Sequence, residues 1–175
     1  MKPETKKKLI DWVRTLGLAV VVSLLFRAYV VEARWIPSES MQPTFEVGDK
    51  LFVDKLSYRI AGFQRGDIVI FDAPPASNLG DEALIKRVIG LPGDTIKVEG
   101  GIVYVNGAAL DEPYELEKPE QDFAETKVPD QSLFVMGDNR NNSFDSRYWG
   151  VVPLDKVIGK AIMTYYPLNR IKFIE

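Results

Sequence analysis

Ala83-Leu84-Ile85-Lys86-Arg87-Val88-Ile89-Gly90-Leu91-Pro92-Gly93-Asp94 is a short apolar run with two cations at its centre and a turn sequence at its end. Its length is that of a strand rather than a helix. As a strand it puts Leu84, Lys86 and Val88 on one face. A lysine so placed is either an outward residue on an edge strand or a buried amine. Burial would disfavour the ammonium form and lower its pKa from the usual value of about 10.4. To act as a base near neutral pH it must fall by roughly two to three units, a differential solvation of about 3–4 kcal/mol at about 1.36 kcal/mol per unit.

Outward from this run, residues 51–56 (LFVDKL), 67–71 (DIVIF), 95–100 (TIKVEG), 101–110 (GIVYVNGAAL), 132–137 (SLFVMG) and 156–166 (KVIGKAIMTYY) are also apolar or alternating segments of strand length. They predict a mostly β body over residues 32–175: one compact domain with a single sheet or barrel-like arrangement. Asn106-Gly107 suits the positive φ angles of a type I′ hairpin turn. Gly48-Asp49, Gly66-Asp67 and Gly93-Asp94 each lead into a strand and read as turns, whereas Gly137-Asp138 follows a strand and opens a polar loop. Residues 111–130 are acidic, proline-bearing and poor in apolar side chains, which predicts a surface loop.

The chain has 175 residues and neither cysteine nor histidine. Disulfides, thiol nucleophiles, thiolate or imidazole metal sites and a Ser-His-Asp triad are thereby excluded. A base working near neutral pH must be lysine, carboxylate or tyrosine. Residues 1–31 hold Lys2, Lys6, Lys7, Lys8, Arg14 and Arg27 against Glu4 and Asp11, a net of +4, which leaves −7 on the remainder of a chain whose total is −3. An acidic body gives no reason to expect nucleic acid.

Leu16 to Phe26 (LGLAVVVSLLF) is uncharged. With Trp12, Tyr29 and Trp35 as interfacial aromatics, the pattern predicts one membrane-spanning helix over about Leu9–Val31, residues 1–31 forming a basic tip plus anchor. The lysines before it favour an N-terminus inside and the body outside. A cleaved signal peptide, with Val31-Glu32-Ala33 near its end, and an interfacial helix are the alternatives.

Two further segments carry chemistry. In Ile36-Pro37-Ser38-Glu39-Ser40-Met41-Gln42-Pro43-Thr44, prolines bracket two serines and restrict the backbone that presents the hydroxyls. The segment is either a polar turn or a nucleophile loop, and a serine there needs a base. Gly137 to Gly150 is rich in side chains that hydrogen-bond within loops and holds Asp145 and Arg147 two residues apart. It is either a polar connection or a loop that orients the base.

Taken together, Pro37–Thr44, Arg65–Phe71, Ile85–Asp94 and Gly137–Arg147 resemble, in the same order, bacterial type I signal peptidases. The resemblance implies a serine endopeptidase in which Ser40 is the nucleophile and Lys86 the general base. It implies that Ser38 joins the Ser40 N–H in the oxyanion hole, that Ser143 orients the Lys86 amine, and that Asp145 and Arg147 form a supporting salt bridge beside Asp138 and Arg140. Ile36, Pro37, Met41, Phe45, Ile70, Leu84 and Ile85 would line pockets for small side chains, with Phe45 replacing the more usual leucine and Arg34 at a spot apolar in some relatives. The implied substrates are secretory precursors with small residues at the first and third positions before the cut. The implied setting is a cell membrane crossed once, with membrane lipid as a partner and the catalytic domain on the extracytoplasmic side. No cofactor or metal is expected, the chain is expected to act as a monomer, and residues 99–131 leave room only for a small ribbon. A self-cleaving repressor-like peptidase and a membrane-tethered binding module are the competing readings. The apolar Leu16–Val31 stretch argues against the first, and the presence of both Ser40 and Lys86 against the second.

Overall fold

The computed structural model describes residues 3–80 and 82–174; side chains of residues 3–7, 9 and 26–28 are outside the described set, so the basic tip expected at Lys2, Lys6 and Lys7 lies outside it too. A helix α1 (Pro3–Tyr29) opens the chain, with Pro3 in the first turn, where a missing N–H leaves nothing unbonded. The side chains from Ile10 to Leu25 are exposed on every face. Among the described residues, no helix is long and apolar enough to cross a membrane. The helix also ends before the expected Val31, because Val30 and Val31 are β-branched and Val31 already begins a strand.

The body contains β1 (Val31–Trp35), β2 (Lys50–Asp54), α2 (Ser57–Ala61), β3 (Ile68–Asp72), β4 (Ala83–Gly90), β5 (Thr95–Glu99), β6 (Ile102–Val105), β7 (Ala108–Ala109) and β8 (Phe123–Lys127). It continues with β9 (Ser132–Met136), α3 (Ser146–Trp149), β10 (Val152–Pro153), β11 (Val157–Tyr166) and β12 (Lys172–Phe173). Every strand predicted from an apolar run is present, but the expected single sheet is two. An eight-stranded sheet has the order β1-β2-β11-β3-β4-β9-β10 with β12 on β11, and a four-stranded sheet has the order β7-β6-β5-β8. All pairs between named strands are antiparallel.

The segment expected to be a surface loop, 111–130, holds β8, which pairs with β5 through Thr95↔Lys127, Ile96↔Thr126 and Val98↔Phe123. As an edge strand it needs only Phe123 as an anchor and leaves Ala124 to Lys127 exposed, so it has no apolar alternation to read. The Asn106-Gly107 hairpin forms as predicted: φ is 52° and 81° at the two residues, and Val105 pairs with Ala108. The three turn Gly-Asp pairs share one device. Asp49, Asp67 and Asp94 each accept the amide of the residue three positions earlier, Glu46, Gln64 and Leu91, at 2.9, 2.9 and 2.7 Å.

Alternation along β4 divides the core. Ile85 joins Ile36, Met41, Phe45, Leu51 and Ile70 on one side. Leu84 and Val88 join Val69, Phe71 and Val135 on the other. A third cluster, including Ile89, Ile96, Val98, Phe134 and Met136, ties the two sheets together. Central β4 lies between β3 and β9, with Val69↔Lys86 and Arg87↔Met136 in register. Its lysine is therefore an interior residue of the sheet, and the end of β9 delivers the 137–147 loop beside it.

Candidate active site

The nucleophile loop spans the gap between Trp35 and Lys50, the paired ends of β1 and β2. Ile36 N donates to Asp49 O at 2.9 Å and Gly48 N to Ile36 O at 2.8 Å, closing the loop at its base. Met41 and Phe45 are 0% exposed and pin it to the core beneath. Between them and the base of the loop, a short 3₁₀ turn (Glu39–Met41) leaves Ser38 exposed and Ser40 buried.

Lys86 Nζ lies 2.8 Å from Ser40 Oγ and donates to Ile85 O at 2.9 Å. Ser38 Oγ is 3.2 Å from Ser40 Oγ. Lys86 is only 4% exposed. Burial pushes its pKa down to about 8, against the pull of the Asp145 and Asp138 carboxylates, which favour the ammonium form. A serine hydroxyl in hydrogen-bond reach of an amine that is neutral in mild base can lose its proton to that amine.

The 137–147 loop packs against both partners. Asn139 N donates to Ser40 O at 3.1 Å. A Cβ on Gly137 would stand 2.4 Å from Ser40 O and 2.3 Å from Ser143 Oγ, so only glycine fits there. Asp145, fully buried, takes a two-point contact from Arg147, Nε to Oδ1 at 2.9 Å and Nη2 to Oδ2 at 2.8 Å, and accepts Gly137 N at 3.0 Å. This is the salt bridge expected from the sequence.

Asp138 and Arg140, expected beside this pair, have partners elsewhere. Asp138 pairs with Arg87 (2.8 and 2.7 Å) and accepts Thr44 Oγ1 at 2.5 Å. Arg140 instead pairs with Glu112 (2.8 and 2.9 Å) and donates to Gly137 O at 2.9 Å. Among the described residues Ser143 Oγ is buried without a hydrogen-bond partner, so the expected bond to the Lys86 amine is not made; the amine's two bonds go to Ser40 and to the Ile85 carbonyl. Arg87, Thr44, Glu112 and Tyr114 were not anticipated. The only sequence cue was Arg87 following Lys86, since the arginine of such a strand must face the other way.

A cleft of about 350 Å³ is lined by Arg34, Trp35, Ile36, Pro37, Leu51, Ile70, Glu82, Ala83, Leu84 and Ile85; it includes the residues that precede Ser38 and Lys86 in the chain but neither of these side chains nor Ser40. Five of the seven expected pocket residues line it. Met41 and Phe45 do not: as the anchors of the loop they are spent in the core below.

A serine hydroxyl 2.8 Å from a buried lysine amine is an arrangement that can support the chemistry of a serine hydrolase. Comparison with known proteins places it further. Residues 9–166 match the family model described as signal peptidase, peptidase S26. The chain is similar to a signal peptidase I of Leptolyngbya laminosa, with 47% identity over 97% of this chain and 86% of that protein. It is similar to a probable signal peptidase I-2 of Synechocystis, with 48% identity over 90% of this chain and 73% of that protein. It is also similar to a signal peptidase I of Bacillus licheniformis, with 39% identity over 95% of this chain and 94% of that protein. The chain belongs to the signal peptidase family, peptidase S26. It is a type I signal peptidase, a serine hydrolase that removes signal peptides from precursors.

Proposed function

We propose that Ser40 and Lys86 form the catalytic dyad. The observation that carries this reading is the 2.8 Å contact between Ser40 Oγ and the buried Nζ of Lys86. Neutral Lys86 takes the hydroxyl proton as Ser40 attacks the scissile carbonyl. The Ser38 hydroxyl and the Ser40 N–H stabilise the oxyanion. The Lys86 ammonium then protonates the leaving amine, the new N-terminus of the mature protein. With the amine neutral again, Lys86 takes a proton from water as that water attacks the acyl-Ser40 ester, then gives the proton to the departing Ser40 Oγ, which frees the signal peptide as a carboxylic acid. Ser143 turns its unpartnered hydroxyl toward the third N–H of the ammonium when it forms, since a buried hydroxyl without a bond costs about 1–3 kcal/mol. Asp145–Arg147, Asp138 and Arg140 hold the loop that carries it.

Ile36, Pro37, Ile70, Leu84 and Ile85 supply an apolar cleft, which favours precursors with small residues at the first and third positions before the cut. Residues 32–175 are the catalytic domain, acting as a monomer on the extracytoplasmic side. Residues 1–31 tether it to membrane lipid as a single-pass anchor with a cytoplasmic N-terminus. The exposed apolar side chains on every face of α1 and the basic start of the chain support the anchor.

The test is timed cleavage of a secretory precursor by detergent-purified wild type, Ser40→Ala and Lys86→Ala. Both variants are expected to fold and to be inactive. Substantial activity in Lys86→Ala would assign the base elsewhere. Ser38→Ala is expected to slow turnover by about 10²–10³, and near-normal turnover would remove Ser38 from the oxyanion hole.

A further inference from the structure

After β7 the chain does not return directly to the small sheet. Residues 112–121 run along the 137–147 loop before β8 begins. Leu116 N donates to Asp138 O at 3.0 Å, and Glu117 forms a parallel bridge with Asn139. Asn141 Nδ2 donates to Lys118 O at 3.1 Å, Glu120 N to Asn141 Oδ1 at 2.9 Å, and Tyr148 Oη to Gln121 Oε1 at 3.1 Å. Two side chains of this strap reach further in. Glu112 takes the two-point contact from fully buried Arg140. The Tyr114 ring covers the Arg87 guanidinium at 3.9 Å, with that of Arg140 at 5.9 Å. Tyr114 Oη donates to Glu112 Oε1 at 3.1 Å, which joins the two contacts.

Each contact leads to one half of the site. From Glu112 the path goes through Arg140 to the Gly137 carbonyl, and Gly137 is the residue packed against Ser40 O and Ser143. From Tyr114 it goes through Arg87, the residue after Lys86, and on through Asp138 to Thr44 in the nucleophile loop. We propose that Glu112 and Tyr114 are positioning residues for signal-peptide cleavage, setting the approach of Ser40 to Lys86 from a strap that contributes no reacting atom. The proposal rests on the reading of Ser40 and Lys86 as the dyad.

Two conservative pairs test it on the purified full chain, with kcat, KM and melting temperature measured on the same preparations. Tyr114→Phe keeps the ring over Arg87 and is expected to hold kcat within about twofold. Tyr114→Leu removes the ring, and Glu112→Gln removes the charge at nearly constant volume. Both are expected to lose kcat about tenfold with KM little changed, because displaced reacting atoms slow the chemical step without weakening a cleft they do not line. Wild-type kcat in folded Tyr114→Leu and Glu112→Gln, with only the melting temperature lowered, would show the strap to be a stability element and overturn the proposal. Should Tyr114→Leu fail to fold, Glu112→Gln decides alone in the same way. Ser40→Ala is run alongside: if it still cleaves the precursor, the dyad reading has failed, whereas a dead Ser40→Ala with fully active strap variants rejects the strap role alone.

Discussion

The two loops that meet at Ser40 and Lys86 are fixed by opposite means. The nucleophile loop, 36–49, is held mainly from below by Met41 and Phe45, both fully buried among apolar side chains. The 137–147 loop is held by charge: Asp138 with Arg87, Asp145 with Arg147, and Arg140 with Glu112, all largely withdrawn from water. Apolar anchoring is tolerant of shape and indifferent to geometry at the level of single bonds. Buried ion pairs are the reverse, since their desolvation is offset only while both partners and their hydrogen bonds are in place. A loop that presents the Ser38 and Ser40 hydroxyls can rest on packing. A loop that must register glycine against Ser40 while carrying Ser143 gains from directional contacts.

The contrast can be broken deliberately. Phe45→Ala and Asp138→Ala should each lower stability by about 3–5 kcal/mol, the first by leaving a cavity and the second by leaving Arg87 buried and unpaired. Their conservative versions should diverge in chemical denaturation. Phe45→Leu keeps most of the apolar volume and should cost only about 1 kcal/mol. Asp138→Asn keeps the shape but not the charge and should remain close to Asp138→Ala. Equal recovery by both would erase the distinction between the loops.

A smaller effect sharpens it from the side of the base. Burial disfavours the charge of Lys86 and pushes its pKa in the folded protein from the ordinary 10.5 down to about 8. Below pH 8 both folded and unfolded chains hold the proton, and the folded state bears the full penalty of the buried ammonium. Between about 8 and 10.5 only the unfolded state keeps the proton, so stability rises with pH, and above that window the penalty is gone. Lys86→Met should therefore be more stable than wild type by about 3 kcal/mol at pH 6–7, an advantage that shrinks to little by pH 10.5. A pH-independent difference would mean that Lys86 is not buried as an amine. The same titration sets activity: kcat/KM should rise about tenfold per unit below pH 8 and level off above it.

How legible these features were depended on whether their signal was local. The strands with apolar runs and the Asn106-Gly107 turn follow from neighbouring residues and were readable, whereas Ser40, Lys86, Asp145 and Arg147 were singled out through the resemblance of their segments to a known family. Strands β1 and β8 were not, because edge strands exposed on one or both faces need no alternation. The partners of Asp138 and Arg140 were not readable, since nothing in the sequence says that Arg87 turns toward Asp138 or that Glu112 crosses to Arg140. Met41 and Phe45 were assigned to the pockets through the family resemblance; the packing shows both fully buried in the core cluster.

Sheet order has a consequence for when the enzyme comes into being. Strand β11 lies between β2 and β3, joining the half of the sheet that carries Ser40 to the half that carries Lys86. It contributes no side chain to the dyad, and it is translated after every residue of the site. A ribosome-bound chain that lacks it holds Ser40 and Lys86 without the strand that brings their two halves together. The strand that joins the two halves is thus made only after both of them.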